Sequence, residues 1–440
     1  MQFMTHVLRK NPFGPSFYRL FLPWALRYPR YLRSASSLLR AYTETRRLRK
    51  VSELNGLKVP PALILSLTQQ CNLSCLGCFA AASGISCHKD TERQRKKRPQ
   101  LDWEGWTAIV SEASELGVFG FFLAGGEPFL FPRLIELCEE FKDRCFIIFT
   151  NGTAITESDF ERLKPLSNTA IIVSIEGGKE ATNQRRGQGV YQKATRTLRR
   201  LSEIGTPNGI SATITRLNYK YWMNPERIDS LIAQGVRAAV FIEYIPVMSA
   251  PETGINNKKG ENKLIEQNDH FLMLTKEERA EFRAQILRYR ETKPIYIIHS
   301  PGDEEYFGGC VSAGRGFAHV TPAGDLTPCP VSNVATHNLT TATLREGFAS
   351  PLFSKIRENE YLLENEGMPC SLFAHPKEVE ELAKSVDAYR TDQYKGLQRL
   401  SVNILLKIVR PCLGANFFSP SLALYSIGIS NMRYPFFSTR

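Results

Sequence analysis

Three cysteines fall within eight residues in the stretch Gln70-Cys71-Asn72-Leu73-Ser74-Cys75-Leu76-Gly77-Cys78-Phe79. The spacing is C-x-x-x-C-x-x-C. Such crowding in a long chain reads as metal binding in a reducing compartment, not as a disulfide framework. Three thiolates on one tight loop can hold three irons of a four-iron cluster and leave the fourth iron open to a ligand. A structural zinc ion is the competing reading. It needs a fourth protein donor, and Cys87 and His88 are the nearest. The triad follows directly on Ala62–Thr68, a short apolar run with β-branched residues that predicts a strand, and this placement favours the cluster.

The elements that must position this loop alternate regularly. Helical spacing over Trp103–Leu116, with Asp102 as N-cap, follows the first strand. A second strand is predicted at Val118–Ala124, a helix at Pro132–Phe141, a third strand at Cys145–Thr150 and a short helix at Ser158–Leu163. Then come a strand at Ala170–Ile175, a helix at Val190–Ile204, a strand at Gly209–Thr215, a helix at Pro225–Ala233 and a strand at Ala238–Tyr244. Apolar strands alternating with amphipathic helices predict an α/β fold with a parallel sheet covered by helices. Six βα units make a partial (βα)6 version of the TIM-type barrel, whose chemistry sits on the loops after the strands.

Other polar groups fall at those strand ends. The second strand ends in Ala124-Gly125-Gly126-Glu127, where two glycines would let backbone approach a ligand closely. The third ends in Thr150-Asn151-Gly152 and the fourth in Ser174-Ile175-Glu176-Gly177, with Arg185-Arg186-Gly187 beyond. Thr213, Thr215 and Asn218 close the fifth strand and are weaker candidates.

The net charge of +12 is unevenly placed. Residues 1–50 hold eleven Lys/Arg and one acid, Glu44, so the rest of the chain is nearly neutral. Aromatics run between these arginines (Phe13, Phe17, Tyr18, Phe21, Trp24, Tyr28, Tyr31). An interfacial helix on an anionic membrane is one reading. A helical extension packed on its own body, broken at Pro15, Pro23 and Pro29, is favoured. No nucleic-acid module accompanies the segment. Phe17–Leu26 is apolar but short, contains Arg19 and Pro23 and has no small-residue cleavage site, so no signal peptide is expected. No apolar run reaches the roughly eighteen residues of a spanning helix. The expected location is cytoplasmic, with peripheral contact at an inner membrane surface through residues 1–50 left open.

The cysteine loop resembles the cluster loop of the radical S-adenosylmethionine (SAM) superfamily. There the open iron is chelated by the amino and carboxylate groups of SAM, and one electron passed to the sulfonium yields methionine and a 5′-deoxyadenosyl radical that abstracts hydrogen from substrate. The resemblance implies a [4Fe-4S] cluster on Cys71, Cys75 and Cys78, SAM, and an electron donor such as flavodoxin or ferredoxin. Gly125, Gly126 and Glu127 are similar to the family's GGE motif on the SAM amino group. Asn151, Ser174 and Glu176 would line SAM, and Arg186, with Arg185 as the alternative, would pair with its carboxylate. One residue departs from the common pattern. An aromatic often precedes the third cysteine and packs near the adenine, whereas here Gly77 precedes it and Phe79 follows.

Cys310, Cys329 and Cys370 recur further on, around a predicted hairpin with a strand at Phe317–Thr321 and a turn at Pro322–Asp325. This region resembles the SPASM/twitch extension of radical SAM enzymes, in its shorter twitch form, and implies a probable second [4Fe-4S] cluster. Three cysteines leave one iron open or served by Cys412, His375 or substrate. The alternative is a set of buried free thiols. His319, inside the hairpin, reads as structural, as do Cys138 and Cys145. The acids after Pro301 face either a cavity or solvent.

The expected organisation is a basic aromatic extension at 1–58, the radical SAM core at 59–245, an insertion and linking helix at 246–294, the small cysteine-bearing twitch-like extension at 295–380 and a helical, apolar tail at 381–440. Polar stretches at Cys87–Gln100 and Pro251–Asn268 are expected as surface loops. The resemblance implies an enzyme modifying a peptide, a protein or a small molecule. The alternatives are a membrane-docked enzyme acting on a lipid and a non-catalytic iron–sulfur scaffold.

Overall fold

The computed structural model describes residues 23–24, 26–83, 98–246, 269–365 and 367–392. Cys87, His88, Cys412, Phe13, Phe17, Tyr18 and Phe21, the stretch Pro251–Asn268 and residues 393–440 of the apolar tail lie outside the described residues.

Six strands follow one another as expected: β1 (Ala62–Ser66), β2 (Gly120–Ala124), β3 (Cys145–Thr150), β4 (Thr169–Ser174), β5 (Asn208–Ile214) and β6 (Ala238–Glu243). Each pairs in parallel with the next. Helices between them include α2 (Trp103–Leu116), α3 (Leu134–Glu140), α4 (Glu157–Leu163), α5 (Lys179–Arg186), α6 (Val190–Glu203), α7 (Tyr219–Met223) and α8 (Pro225–Ala233). Local signals set their ends. Asp102 accepts from Gly105 N to start α2, and Gly117, at φ 105°, ends it. Thr156 and Asp159 form a capping box at α4.

The sheet is wider than six strands. Helix α9 (Lys276–Thr292) returns the chain to β7 (Tyr296–Ser300), parallel to β6. Thus the stretch expected as the cysteine-bearing extension, 295–380, includes a further strand of the sheet at Tyr296–Ser300. At the other edge β8 (Phe317–Val320) pairs in parallel with β1 and antiparallel with β9 (Asp325–Thr327). The predicted hairpin is therefore built into the barrel sheet. His319 joins the layers: one ring nitrogen lies 2.8 Å from Ser66 Oγ and the other 2.8 Å from Thr327 Oγ1.

The core fills the space between sheet and helices. Leu63, Leu65, Phe121, Phe146, Ile148 and Phe241 are buried there with Trp106, Leu198 and Phe282. The alternate strand residues Ile64, Phe122, Ile147, Phe149 and Ile298 are only half-buried, and Ile242 is 39% exposed. The face turned away from the helices is thus open in places, unlike the packed interior of a closed barrel.

Helix α1 (Arg30–Leu54) lies across the end where the strands begin. Arg30 Nη2 and Tyr31 OH donate to Gly205 O at 2.7 and 3.0 Å, before β5. Arg49 bonds Gly117 O and Tyr42 meets the Phe119 ring edge-on at 5.4 Å, before β2. Glycine is required at both turns, because a Cβ at Gly205 would strike the Tyr28 ring and one at Gly117 would lie 2.7 Å from Thr45 O. Arg33, Arg40, Arg46 and Arg47 remain exposed. The described part of the basic extension packs on its own body, at the end opposite the cysteine loop.

Candidate active site

Cys71, Cys75 and Cys78 lie on the loop after β1 as free, half-buried thiols. Burial pushes Cys71 up to about 12, and Glu127, Cys75 and Cys78 push the same way. The three thiols therefore share one neighbourhood, and a metal must take them as thiolates with release of protons.

The Gly125-Gly126 pair sits against the start of this loop. A Cβ at Gly125 would be 2.7 Å from Thr68 O, and one at Gly126 would collide with the Gln70 carbonyl. The glycines make room for the chain's own backbone. Close approach allows Gly126 N to donate to Thr68 O at 2.8 Å and Glu127 N to donate to Gln70 O at 2.7 Å.

Glu127 is 1% exposed, and its carboxylate accepts from Thr150 Oγ1 at 2.6 Å, Asn151 N at 2.8 Å and Phe129 N at 3.2 Å. Burial raises its carboxyl above the usual value, and these bonds oppose the rise. Asn151 Nδ2 donates to Asn72 Oδ1 at 2.8 Å, next to Cys71. Glu127 and Asn151 thus fasten the ends of β2 and β3 to the cysteine loop.

The other side of the loop is held by α5, which has little apolar patterning and carries both candidate arginines. Arg185 Nη1 donates to Glu176 Oε1 at 2.5 Å and to Thr213 Oγ1 at 2.9 Å. Its Nε and Nη2 reach Leu76 O at 3.2 Å and Gly77 O at 3.3 Å. Arg186 Nε donates to Glu176 Oε1 at 2.7 Å. Burial by itself would raise the Glu176 carboxyl, but the two guanidiniums outweigh it and hold it below the usual carboxylate value. Two cations against one carboxylate leave a positive charge beside the loop. Burial raises the Cys75 thiol, while Arg186 and Arg185 favour its thiolate. Ser174 Oγ lies 3.1 Å from Ser211 Oγ.

Gly77, at φ 60°, is covered from β6. A Cβ there would lie 3.2 Å from the Tyr244 ring. An aromatic thus stands beside this position, delivered by the end of β6 instead of by residue 77. Tyr244 was not singled out in the sequence, because only the fold brings it to the loop.

The second cysteine set is also gathered. Cys310 and Cys329 are buried and Cys370 is half-buried. Burial pushes Cys310 up to about 11 and Cys370 up to about 12, and each of these thiols opposes ionisation of another in the set. Backbone bonds sew their segments together. Ala313 N donates to Pro328 O at 3.0 Å, and Leu363 O accepts from Cys310 N at 2.9 Å and Ser371 Oγ at 3.0 Å. His375, considered as a further ligand, has Nε2 3.1 Å from Glu364 O and its ring 3.9 Å from that of Tyr361. Burial lowers His319 to about 3, so it is a neutral structural bridge. Cys138 is core, with its thiol on Leu134 O at 3.6 Å. Among the described residues no three His, Cys, Asp or Glu side chains are arranged for a single metal ion, and no helix is long and apolar enough to cross a membrane.

A parallel partial barrel with a three-cysteine loop at its strand ends defines an iron–sulfur enzyme class, and comparison with known proteins specifies it. Residues 65–221 match the Radical SAM superfamily. The chain is 27% identical over 320 residues to the PqqA peptide cyclase of Gluconobacter oxydans, spanning 71% of this chain and 82% of that one. It is 29% identical over 163 residues to the Fe-coproporphyrin III synthase of Methanosarcina barkeri, spanning 36% of this chain and 38% of that one. The crystal structure of Streptococcus suis SuiB bound to precursor peptide SuiA shares the fold, with a TM-score of 0.54 at 17% identity over 75% of this chain and 74% of that one. Residues 65–221 form a radical SAM domain, and the chain is an enzyme. The family implies SAM and a [4Fe-4S] cluster. Three free thiols on one anchored loop, with two arginines beside it, fit that pair.

Proposed function

We propose that this enzyme modifies a peptide substrate by radical SAM chemistry. In this reading Cys71, Cys75 and Cys78 hold the catalytic cluster, and Cys310, Cys329 and Cys370 hold an auxiliary one. The observation that carries the catalytic assignment is the anchoring of the Cys71–Cys78 loop between Gly126 on one side and Arg185 on the other. When bound, the cluster and SAM supply one-electron cleavage of the sulfonium and a hydrogen-abstracting radical. The chain's own residues do the positioning. Glu127 fixes the loop from the end of β2 and Arg185 from α5. The charge left by Arg185, Arg186 and Glu176 suits the SAM carboxylate, with Arg186 the donor nearest Cys75 in electrostatic effect. Tyr244 offers an aromatic wall where residue 77 has none. The half-open apolar strand face suits a substrate with apolar side chains. A flavodoxin or ferredoxin is the proposed electron source.

The peptide assignment is supported by likeness to a peptide cyclase over most of both chains and by the fold shared with SuiB. The shorter match to a coproporphyrin enzyme supplies the contrasting probe. The test is anaerobic incubation of the reconstituted chain with SAM, reductant and either a pool of synthetic peptides or Fe-coproporphyrin III. A SAM-dependent mass change in a peptide supports the reading. A change confined to the porphyrin overturns it.

A further inference from the structure

We infer that the cleft between Trp24, Arg27 and Tyr28 and the starts of β5 and β6 binds a phosphate ester that carries hydroxyl groups. The cleft lies at the end where the strands begin, opposite the cysteine loop, and the inference stands independently of the cluster assignments.

The cleft has a volume of about 660 Å³, within the range of small-molecule sites. Part of its wall is aromatic. Tyr28 OH donates to Ser202 O at 3.3 Å, and its ring covers Gly205, where a Cβ would strike it. Trp24 follows, its ring 5.8 Å from that of Tyr28. The rest of the lining comes from the ends of α6 and α8 and from the residues that lead into β5 and β6.

Three arginines, Arg27, Arg199 and Arg237, line this space. Among the described residues none of them has a carboxylate partner. Glu203, the acid in the lining, faces Arg200 Nη1 at 3.5 Å. Arg27 lies over the Tyr28 ring, 5.7 Å from its centre. Burial lowers Arg237, and the charge of Arg27 lowers it further. Guanidiniums gathered without acids repel one another, and a bound anion relieves that repulsion. Their planar forks match phosphate oxygens.

A structural use accounts for part of this charge only. The negative ends of α6 and α8 point to this end of the sheet. Arg30 Nη2 donates to Ile204 O at 3.0 Å and Arg237 Nη1 to Ile232 O at 3.1 Å, so both helix ends are met. Among the described residues Arg27 and Arg199 have no hydrogen-bond acceptor.

Buried polar groups ask for more than an anion. Thr206 is 1% exposed and Asn208 4%, and both line the cleft. Among the described residues Thr206 Oγ1 and Asn208 Oδ1 have no hydrogen-bond partner. Asn208 Nδ2 already donates to Ser202 Oγ and Thr206 O, each at 3.2 Å, which leaves Oδ1 as an unmatched acceptor. Such an atom is costly to bury, and a ligand hydroxyl satisfies it. Thr206 can donate to a phosphate oxygen.

The ester is either soluble or the headgroup of a lipid. The test titrates the full chain with glycerol 3-phosphate by calorimetry and, separately, sediments it with vesicles of phosphatidylglycerol or of phosphatidylcholine. Three variants are compared: Arg27→Gln/Arg199→Gln, Thr206→Val, and Arg33→Gln/Arg40→Gln, which removes as much charge from exposed positions of α1. Saturable binding of glycerol 3-phosphate, weakened about tenfold or more in the first two variants and unchanged in the third, supports the site and a soluble ester. The same pattern with phosphatidylglycerol vesicles alone supports the site and a headgroup. Arg27 and Arg199 are exposed, so their variant should melt with the parent and reads binding even where Thr206→Val fails to fold. Binding of neither probe, unchanged binding in Arg27→Gln/Arg199→Gln, or equal weakening in Arg33→Gln/Arg40→Gln overturns the inference.

Discussion

Arg185 and Leu76 are bonded in both directions: Arg185 Nε donates to Leu76 O at 3.2 Å, and Leu76 N donates to Arg185 O at 2.8 Å. This exchange fixes the backbone between Cys75 and Cys78. The same guanidinium reaches Gly77 O and the buried Glu176. Arg185 is therefore a positioning residue for the cysteine loop, whereas Arg186 makes its ion pair with Glu176 and is the arginine proposed to meet SAM.

The two arginines should separate in experiment. Arg185→Gln removes several charge-assisted bonds of about 1.5–3 kcal/mol each in sites of this kind. It should speed iron release to a chelator by about tenfold or more. Arg186→Gln should mainly raise the KM for SAM. Absorbance loss during chelation and SAM-dependent turnover check these outcomes. Equal iron release in both variants would contradict the division.

Gly126→Ala should destabilise the apoprotein strongly, because its methyl would strike the Gln70 carbonyl and neither loop has room to move. A backbone clash of this kind costs about 2–4 kcal/mol. Gly189→Ala provides the contrast. That residue is at positive φ, 79°, unlike Gly126, but no atom lies within 4 Å of the added carbon, so only the conformational cost of about 1–2 kcal/mol remains. Thermal melts of the two variants should differ accordingly.

His319 makes stability depend on pH in a defined direction. It is fully buried with both ring nitrogens bonded, and burial lowers it to about 3. The unfolded chain protonates this histidine below its usual value of about 6.5, while the folded chain does not. Stability is therefore full above that value and falls as pH drops from about 6.5 toward 3, by up to about 1.4 kcal/mol per unit. His319→Asn should flatten the dependence of melting temperature on pH between 7 and 5.

Much of the barrel is legible in the sequence because its signals are local. Trp103–Leu116, Cys145–Thr150 and Pro225–Ala233 have the predicted bounds, set by an N-cap, a β-branched run and a first-turn proline. The cysteine triad is legible for the same reason, since its ligands lie on one short loop. What escaped depends on distant partners. β8 joins β1 across some 250 residues of sequence, as the Ser66–His319 pair does at a separation of 253. Helix α5 is polar and short, so periodicity misses it. Gly125 and Gly126 read as room for a ligand because sequence does not reveal that Thr68 and Gln70 occupy that space. Tyr244 gains its interest from where a strand end brings it, which no spacing rule encodes.

The central claim is that Cys71, Cys75 and Cys78 bind the cluster that cleaves SAM. It is tested most directly by 5′-deoxyadenosine released per chain under anaerobic reduction, for the reconstituted enzyme and its Cys71/Cys75/Cys78→Ala variant. The account predicts reductant-dependent release by the enzyme and none by the variant, even where the variant retains iron at the second cysteine set. Release by the variant at a comparable rate, or no release by an enzyme loaded with iron and sulfide, would contradict it.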